Sequence, residues 1–155
     1  YLMIKFLRKN LFNSNAVIIG NTVNCVGVMG KGIALEFKQR YPDYFSFYKT
    51  QCINKQFIPG YAYQYFDESG KVIISLTTKN HWRQPSEYIY VEGCCIRLKS
   101  ILLDLYNMDK EKYNYCAIPL LGCNNGQLDS EYVKQIMKRH FDNFNENINI
   151  EVCYI

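Results

Sequence analysis

Two stretches of this chain have residue types and spacings suited to holding phosphate. They are Val17 to Ile33, VIIGNTVNCVGVMGKGI, and Ala117 to Leu128, AIPLLGCNNGQL. In the first, Val17, Ile18 and Ile19 read as a strand buried on both faces. Gly20 is expected to interrupt that strand, with Asn21, Thr22 and Asn24 following where the chain leaves the sheet. Gly27, Gly30 and Gly32 come next, and Ile33, Ala34, Leu35 and Phe37 suit one face of a helix. A strand, a glycine-rich turn and a helix N-terminus together present open backbone N–H groups and the positive end of a helix dipole. The chemistry implied is a nucleotide or pyrophosphate site. The glycines read G-x-x-G-x-G, which is neither the P-loop nor the dinucleotide spacing, so a tight turn with close helix packing is the plain alternative.

The second stretch repeats the logic, with Gly122, Cys123, Asn124, Asn125 and Gly126 between a short buried strand and a helix. Two such loops at the carboxyl ends of neighbouring strands would form a cleft with N–H donors on both walls. A diphosphate linking two sugars suits that cleft. Cys25 and Cys123 lie in the loops, but neither has a His nearby in sequence, and small buried thiols near a ligand are the reading adopted.

The elements that position these loops follow from periodicity. Ile4 to Arg8 reads as a strand and Lys9 to Asn15 as a loop. Lys31 to Arg40 reads as a helix ended by Tyr41-Pro42-Asp43. Tyr44 to Cys52 is a second helix or a loop packed by aromatics. Tyr61 to Phe66 and Lys71 to Thr78 form a hairpin around Asp67-Glu68-Ser69-Gly70. Thr77 to Pro85, TTKNHWRQP, is a polar loop at the end of that second strand. Ser86 with Glu87 is expected to cap a helix to Tyr106 carrying Ile89, Gly93, Ile96, Leu98, Ile101, Leu102 and Leu105. Tyr115 to Pro119 is a strand, Asp129 to Asn143 a helix capped by Asp129 or Ser130, and Ile148 to Ile155 a terminal strand. His140 on the last helix reads as a surface residue. Six strands interleaved with helices imply an α/β three-layer sandwich around a mixed sheet.

Composition bounds the rest. The chain has 155 residues, 48% hydrophobic and 21% charged, with a net charge of +4, as expected of one globular domain. That charge is compatible with an anionic ligand but far below a dedicated DNA binder's. Seven Cys in irregular spacing and two His suggest reduced thiols in the cytoplasm rather than a disulfide framework, and no metal site is expected. No signal peptide or membrane span is visible, so a soluble intracellular protein is expected. Tyr1 and Leu2 precede Met3, the expected natural start.

Asn21 to Pro42 (NTVNCVGVMGKGIALEFKQRYP), Thr77 to Arg83 (TTKNHWR) and Ala117 to Asp129 (AIPLLGCNNGQLD) closely resemble macrodomains, in the branch that holds DarG antitoxins and the terminal ADP-ribose glycohydrolase of animals. The resemblance spans Met3 to Ile155, implying one macrodomain over 3–155. It implies ADP-ribose binding, without a cofactor, and hydrolysis of ADP-ribose from a modified target. For DarG-type proteins that target is thymine in single-stranded DNA, modified by a DarT toxin. By the same resemblance the catalytic residues are Lys79, as the catalytic Lys, and Asn24, near the distal ribose. The ligand loops comprise Asn21 and Thr22, Gly27, Val28, Met29, Gly30, Lys31, Gly32 and Ile33, then Thr78, and finally Pro119 with Leu121, Gly122, Cys123, Asn124, Asn125 and Gly126. Asn10 and Leu11 fall where adenine is met, although Lys9 stands where Gly is common. Gly126 replaces the acidic residue of the animal glycohydrolase, which favours the DNA branch.

An amine such as Lys79 can attack an opened ribose C1'' aldehyde when its pKa is depressed, or stay charged and polarise the leaving group, and both roles remain open. His81, Trp82 and Arg83 place an aromatic beside a cation, which suits stacking on single-stranded nucleic acid, with core packing of Trp82 as the alternative. The expected partners are therefore ADP-ribose, ADP-ribosylated DNA and a DarT-type toxin, with no membrane, for a monomer. The competing functions are an ADP-ribose-1''-phosphate phosphatase, a protein de-ADP-ribosylase and a non-catalytic reader of an NAD-derived nucleotide.

Overall fold

A computed structural model describes residues 4–155, with Asn124 described by its backbone alone. The expected start at Met3 lies outside the described residues. The sheet contains β1 (Lys5–Arg8), β2 (Ile18–Val23), β3 (Ala62–Phe66), β4 (Val72–Thr77), β5 (Tyr115–Pro119) and β6 (Asn149–Tyr154), in the order β1-β6-β5-β2-β4-β3. All neighbours are parallel except β3 and β4, the hairpin legible in the sequence, so the sheet is mixed as expected.

Four helices cover the two faces. On one face lie α1 (Gly32–Arg40) and α2 (Pro42–Ile53), packed through Phe37, Tyr44 and Tyr48 onto Ile19, Val23, Ile73 and Ala117. On the other lie α3 (Tyr88–Met108) and α4 (Ser130–Phe141), which seal Ile18, Ile74, Leu76, Cys116 and Ile118. Each helix reflects local chemistry. Pro42 at the first position with Asp43 in the first turn starts α2 directly after α1, so this segment is a helix rather than a packed loop. Asp129 caps α4 by accepting from Tyr132 N, and Lys138, Arg139 and His140 occupy its last turn.

Several expectations are corrected. Gly20 does not interrupt the strand, because β2 runs on to Val23. A Cβ at Gly20 would stand 2.6 Å from Ile118 Cγ2, so this glycine permits close packing of β2 under its neighbour's side chain. Ser86 and Glu87 provide no side-chain cap, and α3 begins at Tyr88. Ile89 and Ile96 face outward at 71% and 53% exposure, while Val91, Cys94, Leu98, Leu102 and Leu105 form the buried stripe. Gly93 belongs to that stripe because a Cβ there would lie 2.3 Å from Gly60 O. His140 is not a free surface residue: its Nε2 lies 2.6 Å from Glu92 Oε1, joining α4 to α3. Lys9 to Asn15 contains a 3-10 turn, Leu11–Asn13. Ile155 lies outside β6.

Candidate active site

Parallel pairing puts the carboxyl ends of β5, β2 and β4 side by side, with β2 in the middle. The three loops singled out by sequence therefore open at one end of the sheet. This is the crevice beside a central strand where open α/β sheets bind ligands.

The first loop is built around Asn24, which is buried. Its Oδ1 accepts from Val26 N at 3.1 Å, Val28 N at 3.3 Å and Tyr48 Oη at 2.8 Å, and its Nδ2 donates to Val28 O at 2.8 Å. One amide thus holds the loop's shape, and Tyr48 from α2 holds the amide. Asn21 is fully buried below it, donating to Tyr44 Oη at 3.3 Å with its Oδ1 unpartnered among the described residues. Met29 packs inward beside it, and Thr22 is half-buried. Gly27 at φ +87° and Gly32 at φ +56° adopt left-handed backbone that other residues rarely take. Lys31 is the N-cap of α1 and gives no side-chain cap, so the N–H groups of Gly32 and Ile33 remain available to an anion. Gly30 and Val28 face the solvent side.

The second loop turns at Gly122, φ +71°, and closes through a 3-10 turn, Asn124–Gly126. Leu128 N donates to Gly122 O and Gly126 N to Cys123 O. Pro119 and Leu121 are buried beneath it. Ser86 anchors the loop from outside, donating its N–H to Gly126 O at 2.9 Å. A Cβ on Gly126 would stand 2.5 Å from Ser86 Oγ, so any side chain here requires Ser86 to move. The two loops face each other: a Cβ at Gly32 would lie 3.3 Å from Asn125 Nδ2. Asn10, by contrast, spends its Oδ1 on Phe12 N in the 3-10 turn above buried Leu11.

Lys79 follows Thr77 and the buried Thr78 at the end of β4. Its loop is stitched to the first: Cys25 N donates to Asn80 O at 3.0 Å, and Cys25 Sγ lies 3.5 Å from Lys79 O. Lys79 is partly buried, and its Nζ donates to Trp82 O at 3.4 Å. Burial, with the positive Lys31 nearby, lowers its pKa below the ordinary lysine value. Burial pushes the Cys25 thiol to about 12 and the Cys123 thiol to about 11, so both are protonated at neutral pH and neither is a ready nucleophile. The loops 24–32, 78–86 and 120–128 contain no Asp or Glu. Lys79 and Lys31 are the amines these loops carry. Among the described residues no cluster of His, Cys, Asp and Glu could hold a metal ion. An open hollow of about 470 Å³ lined by Arg40, Asp43, Asp67 and Glu68 lies by the β3–β4 turn, at the opposite end of β4.

Sequence reasoning missed the supports. Tyr44 and Tyr48, four apart on α2, hold the two buried Asn side chains, and their helical spacing was the available signal. Nothing local pointed to Ser86 beneath the second loop.

This geometry agrees with comparison to known proteins. A Macro domain family model matches residues 20–137. A DNA ADP-ribosyl glycohydrolase of Mycobacterium tuberculosis (strain ATCC 25618 / H37Rv) is 39% identical over 139 residues, covering 86% of this chain and 37% of the relative. The macrodomain of Mycobacterium tuberculosis DarG superposes with a TM-score of 0.90 at 34% identity, covering 99% and 98% of the two chains. Thermosipho africanus DarTG in complex with ADP-ribose gives a TM-score of 0.81 at 28% identity, over 98% of this chain and 43% of that one. The chain belongs to the Macro domain family. It spans little more than a third of the length of the mycobacterial relative.

Proposed function

We propose that this chain binds ADP-ribose in the cleft between its two glycine loops and hydrolyses the N-glycosidic bond joining ADP-ribose to thymine in single-stranded DNA. The observation that carries the reading is Lys79: a partly buried amine of lowered pKa, stitched to a loop that opens a helix N-terminus, in a cleft free of carboxylates. The names of the mycobacterial relative and of the ADP-ribose complex support both substrate and ligand.

The parts divide the work as follows. The first turn of α1 and the backbone of the second loop bind the diphosphate. Asn24 keeps the first loop in the shape that receives the distal ribose. Lys79 acts at C1''. As a neutral amine it bonds to C1'' as the C1''–N bond to the base breaks and the base takes up a proton, and water then hydrolyses the lysyl adduct to free ADP-ribose; as a cation it stabilises charge on the departing base while water attacks C1''. Overall, water supplies OH to C1'' and H to the base, so no redox partner or cofactor is required. The base would be modified by a DNA ADP-ribosyl transferase, the DarT type paired with DarG in the Thermosipho africanus protein.

The test offers the purified chain three substrates: an oligonucleotide with ADP-ribosylated thymine, an ADP-ribosylated protein and ADP-ribose-1''-phosphate. ADP-ribose release from the oligonucleotide, at a kcat/KM at least tenfold above either alternative, is expected. Preferential turnover of another substrate would transfer the assignment to that chemistry. Binding of ADP-ribose without any turnover would make the chain a reader.

A further inference from the structure

We propose that Trp82 and Arg83, with Val26 and Val28 of the first loop, form a stacking platform for the DNA strand flanking the modified base. This inference rests on the reading that the substrate is single-stranded DNA. Trp82 is not a core residue: it is 46% exposed, on a loop whose backbone is within reach of the Lys79 amine. The Arg83 guanidinium lies 4.6 Å from the Trp82 ring centroid, and the His81 ring stands 5.5 Å from it. The turn is braced locally, with Arg83 N donating to His81 Nδ1 and Gln84 N to His81 O. A half-exposed indole on a locally braced turn, with a guanidinium over its ring, offers stacking surface and positive charge together.

The first loop extends the surface. Val26 and Val28 are 45% and 41% exposed, while Met29 between the glycines is buried, so the outward apolar positions are a local choice. Val26 follows Cys25, whose amide is bonded to Asn80 of the Trp82 loop. Lys49 joins the rim, with its Cγ 3.6 Å from where a Cβ of Gly27 would stand. Among the described residues Lys31, Lys49, Lys79 and Arg83 form no ion pair with Asp or Glu. The loops that carry three of them contain no carboxylate. Exposed aromatic and apolar groups among unpaired cations, next to the reacting amine, complement a strand that offers base faces and phosphates together.

Trp82 is the one tryptophan in the chain, so fluorescence excited selectively at tryptophan rather than at the 14 tyrosines reports on this position alone. The test titrates the full chain with a short unmodified oligothymidylate at low salt, with heparin as an anion that has no bases. Saturable quenching by the oligonucleotide and none by heparin is expected. Arg83→Ala should weaken that binding about tenfold and reduce the slope of log affinity against log salt by about 0.7. In turnover, Trp82→Ala should lower the ratio of kcat/KM for the modified oligonucleotide to that for ADP-ribosyl-thymidine about tenfold, with Trp82→Phe restoring most of it. Fluorescence unchanged at saturating oligonucleotide, or equal quenching by heparin, would overturn the platform. So would an unchanged ratio in Trp82→Ala. Because the unmodified strand is not a substrate, quenching decides the platform even if no ADP-ribose is released, an outcome that would instead remove the hydrolase reading.

Discussion

At Lys79, burial and the like charge of Lys31 both lower the pKa below the ordinary lysine value, a shift toward the neutral amine. A bound diphosphate opposes that tendency, which makes Lys31 a tuning residue between the two. Removing its charge relieves repulsion on protonated Lys79. Lys31→Ala should therefore raise the Lys79 pKa and move the alkaline rise of kcat/KM to higher pH, measured as a pH–rate profile. An unshifted profile would show that Lys31 does not act on the amine. Gly126 is a second close contact, since a Cβ there would stand 2.5 Å from Ser86 Oγ and the serine would have to shift to admit a side chain.

At the scale of elements, the strand ends and the helix that packs beneath them set the geometry. Helix α3 packs closely on the turn before β3 because Gly93 lets the Gly60 carbonyl approach. Gly93→Ala puts a Cβ against backbone that has no rotamer to yield, and should cost about 3 kcal/mol, read as a lower denaturation midpoint. Wild-type stability in that variant would mean the 59–60 turn moves freely. Much of this level was legible in the sequence: β5, the β3–β4 hairpin and the glycine loops all carry local signals. What escaped depends on contacts far apart in the chain. Gly20 reads as a strand breaker until Ile118 is known to cross it, and Ile89 and Ile96 read as core until α3 is rotated by its neighbours. His140 meets Glu92 only through the packing of α4 on α3. Lys79, Asn24 and the two loops of the candidate site carry local signals in the sequence, whereas the tyrosines that hold Asn21 and Asn24 come from a helix with no motif of its own.

At the scale of the molecule, one buried carboxylate ties the first and last strands together. Glu151 of β6 is 5% exposed, accepts from Tyr115 Oη at 2.7 Å and pairs with Lys9 Nζ at 2.7 Å. Burial alone would raise its pKa, but the bonds from Lys9 and Tyr115 outweigh it and hold the carboxyl below its ordinary value of 4.5. The unfolded chain therefore takes up this proton first on acidification. The stabilisation is complete above the unfolded value and is lost as pH falls through the lower, folded one. Glu151→Gln should lower stability at neutral pH by about 2 kcal/mol and flatten the acid limb of stability against pH. An unchanged acid limb would place the dependence elsewhere.

The central claim is that a cleft built by two glycine loops presents Lys79 to a bound ADP-ribosyl group. Its most direct test follows ADP-ribose release from a single-stranded oligonucleotide bearing ADP-ribosylated thymine, for wild type and Lys79→Ala, with ADP-ribose affinity measured on both by calorimetry. The account predicts release by wild type, a loss of at least a hundredfold in kcat in the variant, corresponding to about 2.7 kcal/mol of barrier, and affinity kept within about threefold. Release by Lys79→Ala at the wild-type rate would contradict it.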